Sequence, residues 1–323
     1  MRARELGVAL AKRLAVAALA VVLVVAASFA FAAPDATAGP TDRAALTTPE
    51  YDAERLATTP APAEGEVDVA ASAGGRSGIV VIDRSHSNRI GRADLAPLVE
   101  AVTSVGYSVR FHDGSRTLDQ ALSNANAFVV VDPTEEFERN EVTTVRTFTR
   151  EGGHLLLVGE PTRVQPSGTL LATSFSAEES ALTALAARYD ASLGTEYLYN
   201  LETNGGNYRH VVAEPTPESG LDLDSVTMFT AASVHARGGT VLLRATPNTH
   251  ESGTDGTAAH PVAVHKERAN VVVLGDSSFL RTDRVTVGDN ERFAAFLVEF
   301  LVSGERTGAA AVEEAARDDD QPD

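Results

Sequence analysis

Four apolar runs in this chain each close on an acidic residue: 78–83 (GIVVID), 128–132 (FVVVD), 155–160 (LLLVGE) and 271–276 (VVVLGD). A strand covered on both faces reads as a continuous apolar run, not as an alternating one. The runs therefore predict strands of one mostly parallel sheet. In open α/β sheets ligands bind outside the carboxyl ends of the strands. Asp83, Asp132, Glu160 and Asp276 thus mark one rim as the place to look for function.

The pattern between the runs predicts alternating strands and helices. A helix over 94–105 carries Leu95, Leu98, Val99 and Val102 at helical spacing and stops at Gly106. A short strand follows at 107–111, then a short helix opened by a Thr117/Gln120 capping box. Strands at 127–132 and 154–159 bracket a helix capped by Asn140, and a second capping box, Ser176/Glu179, predicts a helix over 178–189. Residues 197–226 read as irregular. Strands at 240–244, 261–265 and 270–275 have no helices between them, so an antiparallel edge is expected before a last helix, 291–302, capped by Asp289. The fold class is α/β, a three-layer α/β/α sandwich on a mostly parallel sheet.

The absence of cysteine removes disulfides, thiolate nucleophiles, thiolate metal sites and a lipid-modified cysteine anchor. Forty-five acidic residues against 27 Lys plus Arg give a formal charge of −18, and Lys12 and Lys266 are the only lysines. Such a surface fits a protein adapted to molar salt. It argues against a nucleic-acid partner, which needs a basic patch to neutralise phosphates.

Residues 14–33 are uncharged and mostly apolar, behind Arg2, Arg4, Lys12 and Arg13. About 20 apolar residues span a bilayer, and the basic flank keeps residues 1–13 cytoplasmic. A retained single-pass anchor is the favoured reading. A cleaved signal ending at Ala30-Phe31-Ala32 is the alternative, giving a secreted protein. Both export the domain. Residues 34–76 read as a disordered spacer, 77–303 as the α/β domain and 304–323 as an acidic disordered tail.

Asp83-Arg84-Ser85-His86 holds the residue types of a hydrolase triad within four positions. A triad needs its acid on the far ring nitrogen of the histidine and its serine on the near one, which so short a stretch rarely allows. A binding role, or Asp83 and Ser85 capping the loop backbone, fits the spacing better. Asp132-Pro133 reads as a turn in which the acid accepts backbone N–H bonds. The strand-end carboxylates could also converge on a hard cation, but four acids at strand ends are common. The histidines lack zinc spacing, and no phosphate-binding loop or nucleophile elbow occurs. The candidate cleft is therefore Asp83, Ser85, His86, Asp132, Glu160, Asp276 and Ser277, with no catalytic residue, metal or cofactor expected.

The order GIVVIDRSH, DQALSNANAFVVVDP and VRTFTREGGHLLLVGEPTR, with YLYN at 197–200, GNYR at 206–209 and NVVVLGDSSFL from 270, resembles the haloarchaeal DUF4350 family over roughly residues 77–303. The resemblance implies a flavodoxin-like or class I glutamine-amidotransferase-like fold of a non-catalytic branch. Active amidotransferases carry a nucleophilic cysteine after the strand written here 154–159. This chain has Glu160-Pro161 there, so that reaction is not available to it. The family setting also implies an envelope partner, including a MoxR-ATPase-associated membrane system. Three readings follow. The first is an externally facing module binding a small polar ligand or an envelope protein. The second is a hydrolase or lyase using His86 and Asp83, with or without a cation. The third is a purely structural envelope component.

Overall fold

The apolar runs become the central strands of a nine-stranded mixed sheet in a computed structural model that describes residues 67, 69, 77–169, 172–304 and 306. Residues 1–33, most of the spacer and most of the acidic tail lie outside the described residues. The anchor or signal at 14–33 is among them. Among the described residues no helix is long and apolar enough to cross a membrane. Val67 is buried in the core of the domain, and Val69 packs against it.

The central strands are β1 (Ile79–Asp83), β3 (Ala127–Val131), β4 (His154–Val158) and β14 (Val271–Leu274). They lie side by side and parallel, with β2 (Ser108–His112) parallel to β1 at the edge. Each strand divides its side chains between two apolar clusters. Val80, Ile82, Val129, Leu156 and Val272 enter one. Val81, Phe128, Val130, Leu155 and Val273 enter the other. This explains the unbroken apolar runs. The first cluster is shared with α1 (Ala96–Ser104) and the last helix; the second is shared with α2 (Leu118–Leu122) and α3 (Arg139–Arg150).

Beyond β14 the sheet turns antiparallel through β13 (Pro261–Lys266), β11 (Thr240–Ala245), β8 (Val211–Pro215) and β9 (Val226–Met228). The expected antiparallel edge is present and deeper than expected. β14, last of the three helix-free strands, is the junction, parallel to β4 and antiparallel to β13. A second sheet joins β7 (Ala191–Tyr199) to β10 (Ala232–Ala236) and β12 (His250–Glu251). The region 197–226 is thus less irregular than its composition suggests. It holds the end of β7, all of β8 and the start of β9.

The helix expected over 178–189 is shortened to its second half, and the Ser176/Glu179 capping box does not open it. Residues on either side of 170–171 form a hairpin of β5 (Arg163–Thr169) and β6 (Ala172–Glu178), with Arg163 opposite Glu178. Ser176 is a strand residue. Helix α4 is confined to Thr183–Ala186, with a 3-10 turn to Tyr189. The segment before it pairs across strands instead, with Val164, Thr169, Thr173 and Phe175 as residue types that suit a pleated surface.

Other termini shift with their caps. The Thr117/Gln120 box is present. Helix α3 starts two residues earlier than expected: Glu138, not Asn140, is its cap, and its amide bonds the Glu141 carboxylate. Asp289 precedes α5 (Asn290–Val302), but its carboxylate accepts from the Asp224 and Ser225 amides instead of capping that helix.

Candidate functional site

The parallel strand order β1-β3-β4-β14 sets the four acids in succession along one edge. Asp83 ends β1, Asp132 follows β3 directly, Glu160 follows β4 by two residues and Asp276 follows β14 by two. The sequence expectation of a shared rim holds. All four carboxylates, with His86 and Ser277, are no more than 5% exposed. A buried charge must find partners or change its protonation, and each of the four does so differently.

Asp83, Ser85 and His86 converge, but not as a relay, in line with the spacing argument. Ser85 Oγ donates to Asp83 Oδ1 at 2.9 Å, and the Ser85 amide does so at 3.3 Å. His86 Nδ1 lies 3.0 Å from Asp83 Oδ2 and also 3.0 Å from Ser85 Oγ. Acid and serine therefore crowd the same ring nitrogen. The other one, Nε2, faces Glu141 Oε2 at 3.2 Å. A carboxylate on each side favours the form in which both ring nitrogens donate, and in that form neither can accept the serine proton. The ring stacks on Phe137, centroids 3.7 Å apart. Burial alone would push the His86 pKa down, but Asp83 and Glu141 outweigh it and hold the pKa above 6.5. Burial likewise opposes ionisation of Asp83, yet bonds from His86, Ser85 and Asn88 leave its pKa below the ordinary value. Asn88 Nδ2 bonds both Asp83 Oδ2 and the Val131 carbonyl, pinning the loop to the next strand.

Asp132 departs from the turn reading. It adopts a left-handed conformation, φ +45°, which Asp tolerates better than most residues. Its carboxylate accepts the guanidinium fork of Arg89, Nε at 2.8 Å and Nη2 at 2.6 Å, not backbone amides. Arg89 also donates to the Glu178 carbonyl at 3.0 Å, tying the hairpin base to the rim. Bidentate pairs of this kind are the strong ones.

Glu160 and Asp276 are held by the loop after β14. Glu160 Oε1 accepts from the Ser277 amide at 2.9 Å and from Ser277 Oγ at 2.5 Å. Asp276 accepts from the Phe229 amide at 2.6 Å and from the Ser278 amide and hydroxyl at 2.7 and 2.6 Å. Burial, then the negative charge of Asp276, pushes Glu160 well above the usual carboxylate pKa. The half-exposed Arg163 stands 3.8 Å from Glu160 and 3.7 Å from Asp132. The four acids do not converge as oxygen ligands. Among the described residues no group of three or more His, Asp or Glu is arranged to hold a metal ion.

A raised carboxylate pKa means that the folded state penalises the charged form. The penalty is absent below the unfolded value near 4.5, grows as pH rises from there towards the folded value, and is fully present above it. Glu160→Gln keeps an oxygen for Ser277 and removes the charge. The variant is expected to match the parent near pH 4 and to be the more stable of the two at pH 7.5, read from denaturant midpoints. A variant less stable at both pH values would contradict the penalty.

Sequence reasoning missed the counter-residues Asn88, Arg89, Glu141 and Arg163. Asn88 and Arg89 follow the Ser-His pair on the same loop, which was the available signal; Glu141 lies 55 residues from His86 and offered none. It also left unused an aromatic cluster at the far end of β7. Tyr199 stacks on His250, centroids 4.8 Å apart, and Tyr208 meets Tyr199 edge-on at 6.3 Å. The Arg209 guanidinium lies 4.1 Å above the Tyr197 ring and 5.7 Å from the Tyr208 ring. Its Nε is buried without a hydrogen-bond partner. Tyr208 and Leu201 are 45% and 68% exposed. The middle of β7 and the start of β10 lie against the rim loops, since Thr195 accepts from the Thr162 amide and the Ala232 amide bonds the Gly275 carbonyl.

With strand order, rim and loops in place, the family model described as "Domain of unknown function (DUF4350)" matches residues 84–298, which spans the rim from the residue after Asp83 to the last helix. The chain belongs to the DUF4350 family. No curated protein matches this DUF4350 chain. Among solved structures it is similar to the mmIFT52 N-terminal domain, at 10% identity and a TM-score of 0.55, covering 70% of this chain and 98% of that one. That likeness is one of fold. Weaker likeness extends to the cytoplasmic protein STM1381 from Salmonella typhimurium LT2, 13% identical with a TM-score of 0.45 over 71% of this chain and 99% of that one. It extends also to a glutamine amido transferase from Methylobacillus Flagellatus, 12% identical with a TM-score of 0.38 over 70% and 92%.

Proposed function

We propose that this DUF4350 domain is a non-catalytic binding module, held outside the membrane by the segment at 14–33 in a salt-adapted envelope. Its fold is read as a three-layer α/β/α sandwich. In this reading Asp83, Ser85, His86, Asp132, Glu160, Asp276 and Ser277 are the frame of the site. The contact surface is what they position beside the rim: Leu201, Tyr208 and Arg209. The observation that carries the reading is the engagement of both His86 ring nitrogens by carboxylates. A histidine so held offers no lone pair to a nucleophile or water, which disfavours the hydrolase or lyase reading. Exposed tyrosine and an arginine stacked on aromatic rings are the residue types that dominate protein contacts. An envelope protein, including one of a MoxR-ATPase-associated system, is the expected partner class.

The test is quantitative cross-linked capture from envelope membranes with the full chain as bait. Tyr208→Ala/Arg209→Ala is expected to lower capture of the specific partner at least tenfold while the melting temperature stays near the parent value. His86→Gln is expected to lower stability and leave capture per folded molecule unchanged. Equal capture by the surface variant would reject this surface. Loss of capture by His86→Gln at unchanged stability would return the contact to the rim acids.

A further inference from the structure

At the opposite end of the parallel strands, a cavity of about 700 Å³ is lined by Arg188, Arg237, Lys266 and Arg268. They come from three separate connections: the turn before β7, the β10–β11 turn and the β13–β14 connection. The connections are fastened together. The Arg237 amide donates to the Asp190 carbonyl at 2.9 Å. Lys266 Nζ donates to the Arg237 carbonyl and, at 3.0 Å, to the Gly238 carbonyl. Two of the three ammonium protons are thereby used and one is left for a ligand. None of the four cations forms an ion pair among the described residues. Two carboxylates also line the cavity, Asp190 and Glu267, and Glu267 is hydrogen-bonded by Thr240. Four cations against two carboxylates leave an excess of two positive charges, in a chain whose net charge is −18.

We propose that this cavity is an anion site for a phosphate-bearing group, carried by a free phosphate ester or by a lipid headgroup. A carboxylate is satisfied by one guanidinium fork, whereas a phosphate offers several oxygens in a tetrahedral array and can take more than one. The volume lies in the range of small-molecule sites. β1 runs parallel to β14, so the described chain enters the sheet at the end where the cavity opens.

The test compares the full chain with Arg188→Gln/Arg268→Gln, two exposed residues whose loss leaves no carboxylate unpaired. In calorimetry with sn-glycerol 3-phosphate at fixed ionic strength, saturable binding that weakens at least tenfold in the variant supports the site with a free ester as ligand. In the second arm both proteins are reconstituted into phosphatidylglycerol or phosphatidylcholine vesicles. Slowed amide exchange over 236–240 and 265–269 in the anionic vesicles alone, lost in the variant, supports the headgroup source. No response in either arm, or equal responses from parent and variant at equal melting temperatures, would overturn the proposal.

Discussion

Replacing Arg89 with alanine is expected to cost the domain about 3–5 kcal/mol of stability, because it leaves the Asp132 carboxylate buried without its fork. Arg89 and Asp132 have side chains 8% and 1% exposed. Arg163 is the other cation within reach, at 3.7 Å, but it is 46% exposed and contributes as a solvated surface charge would. The loss spreads beyond the pair, since Arg89 also holds the Glu178 carbonyl at the hairpin base. Denaturant unfolding in molar KCl reads the effect. Adding Asp132→Asn to Arg89→Ala is expected to recover part of it by removing the stranded charge. A loss below about 1 kcal/mol would class the pair with surface ion pairs and remove the main support for a rigid rim.

Gly275→Ala is the second large effect. A Cβ at Gly275 would overlap the Ala232 carbonyl oxygen, and the Ala232 amide already bonds the Gly275 carbonyl at 2.7 Å. Backbone meets backbone there, and no rotamer change relieves the clash. Overpacking costs about 1–3 kcal/mol and occasionally more; at this position about 3 kcal/mol or more is expected, with β10 and the Asp276 loop pushed apart. Gly159→Ala is the control. Its Cβ would fall 2.6 Å from Leu193 Cδ2, the end of a side chain that can turn away, so about 1 kcal/mol is expected. Thermal unfolding of both variants checks the order. If Gly159→Ala proved the more damaging, the close approach of β10 to the end of β14 would be wrong.

The parallel core and its rim were legible because burial on both faces leaves an unmistakable apolar run, and because the acids sit next to those runs. Register and partners were not. The Glu160 bond to Ser277 spans 117 residues and the Arg89 fork spans 43, distances over which a single sequence carries no pairing signal. The hairpin was missed for a related reason. Arg163–Glu178 looks neither apolar nor alternating, so a local cap signature was the strongest cue present, and it placed the helix start five residues too early, at the end of β6. The spacing of Asp83, Ser85 and His86 did exclude the triad arrangement. Short spacing did not prevent Asp83, Ser85 and His86 from meeting; it forced the acid and the serine onto one ring nitrogen and left the other for Glu141.

The central claim, that the rim is a closed frame with no available base, is tested most directly by a nitrogen-15 NMR titration of the His86 ring in molar KCl. The two flanking carboxylates predict an imidazolium with both nitrogens protonated and a pKa above 6.5. A neutral ring titrating at or below that value, with an unprotonated Nε2, would contradict the frame and restore a general base to the rim.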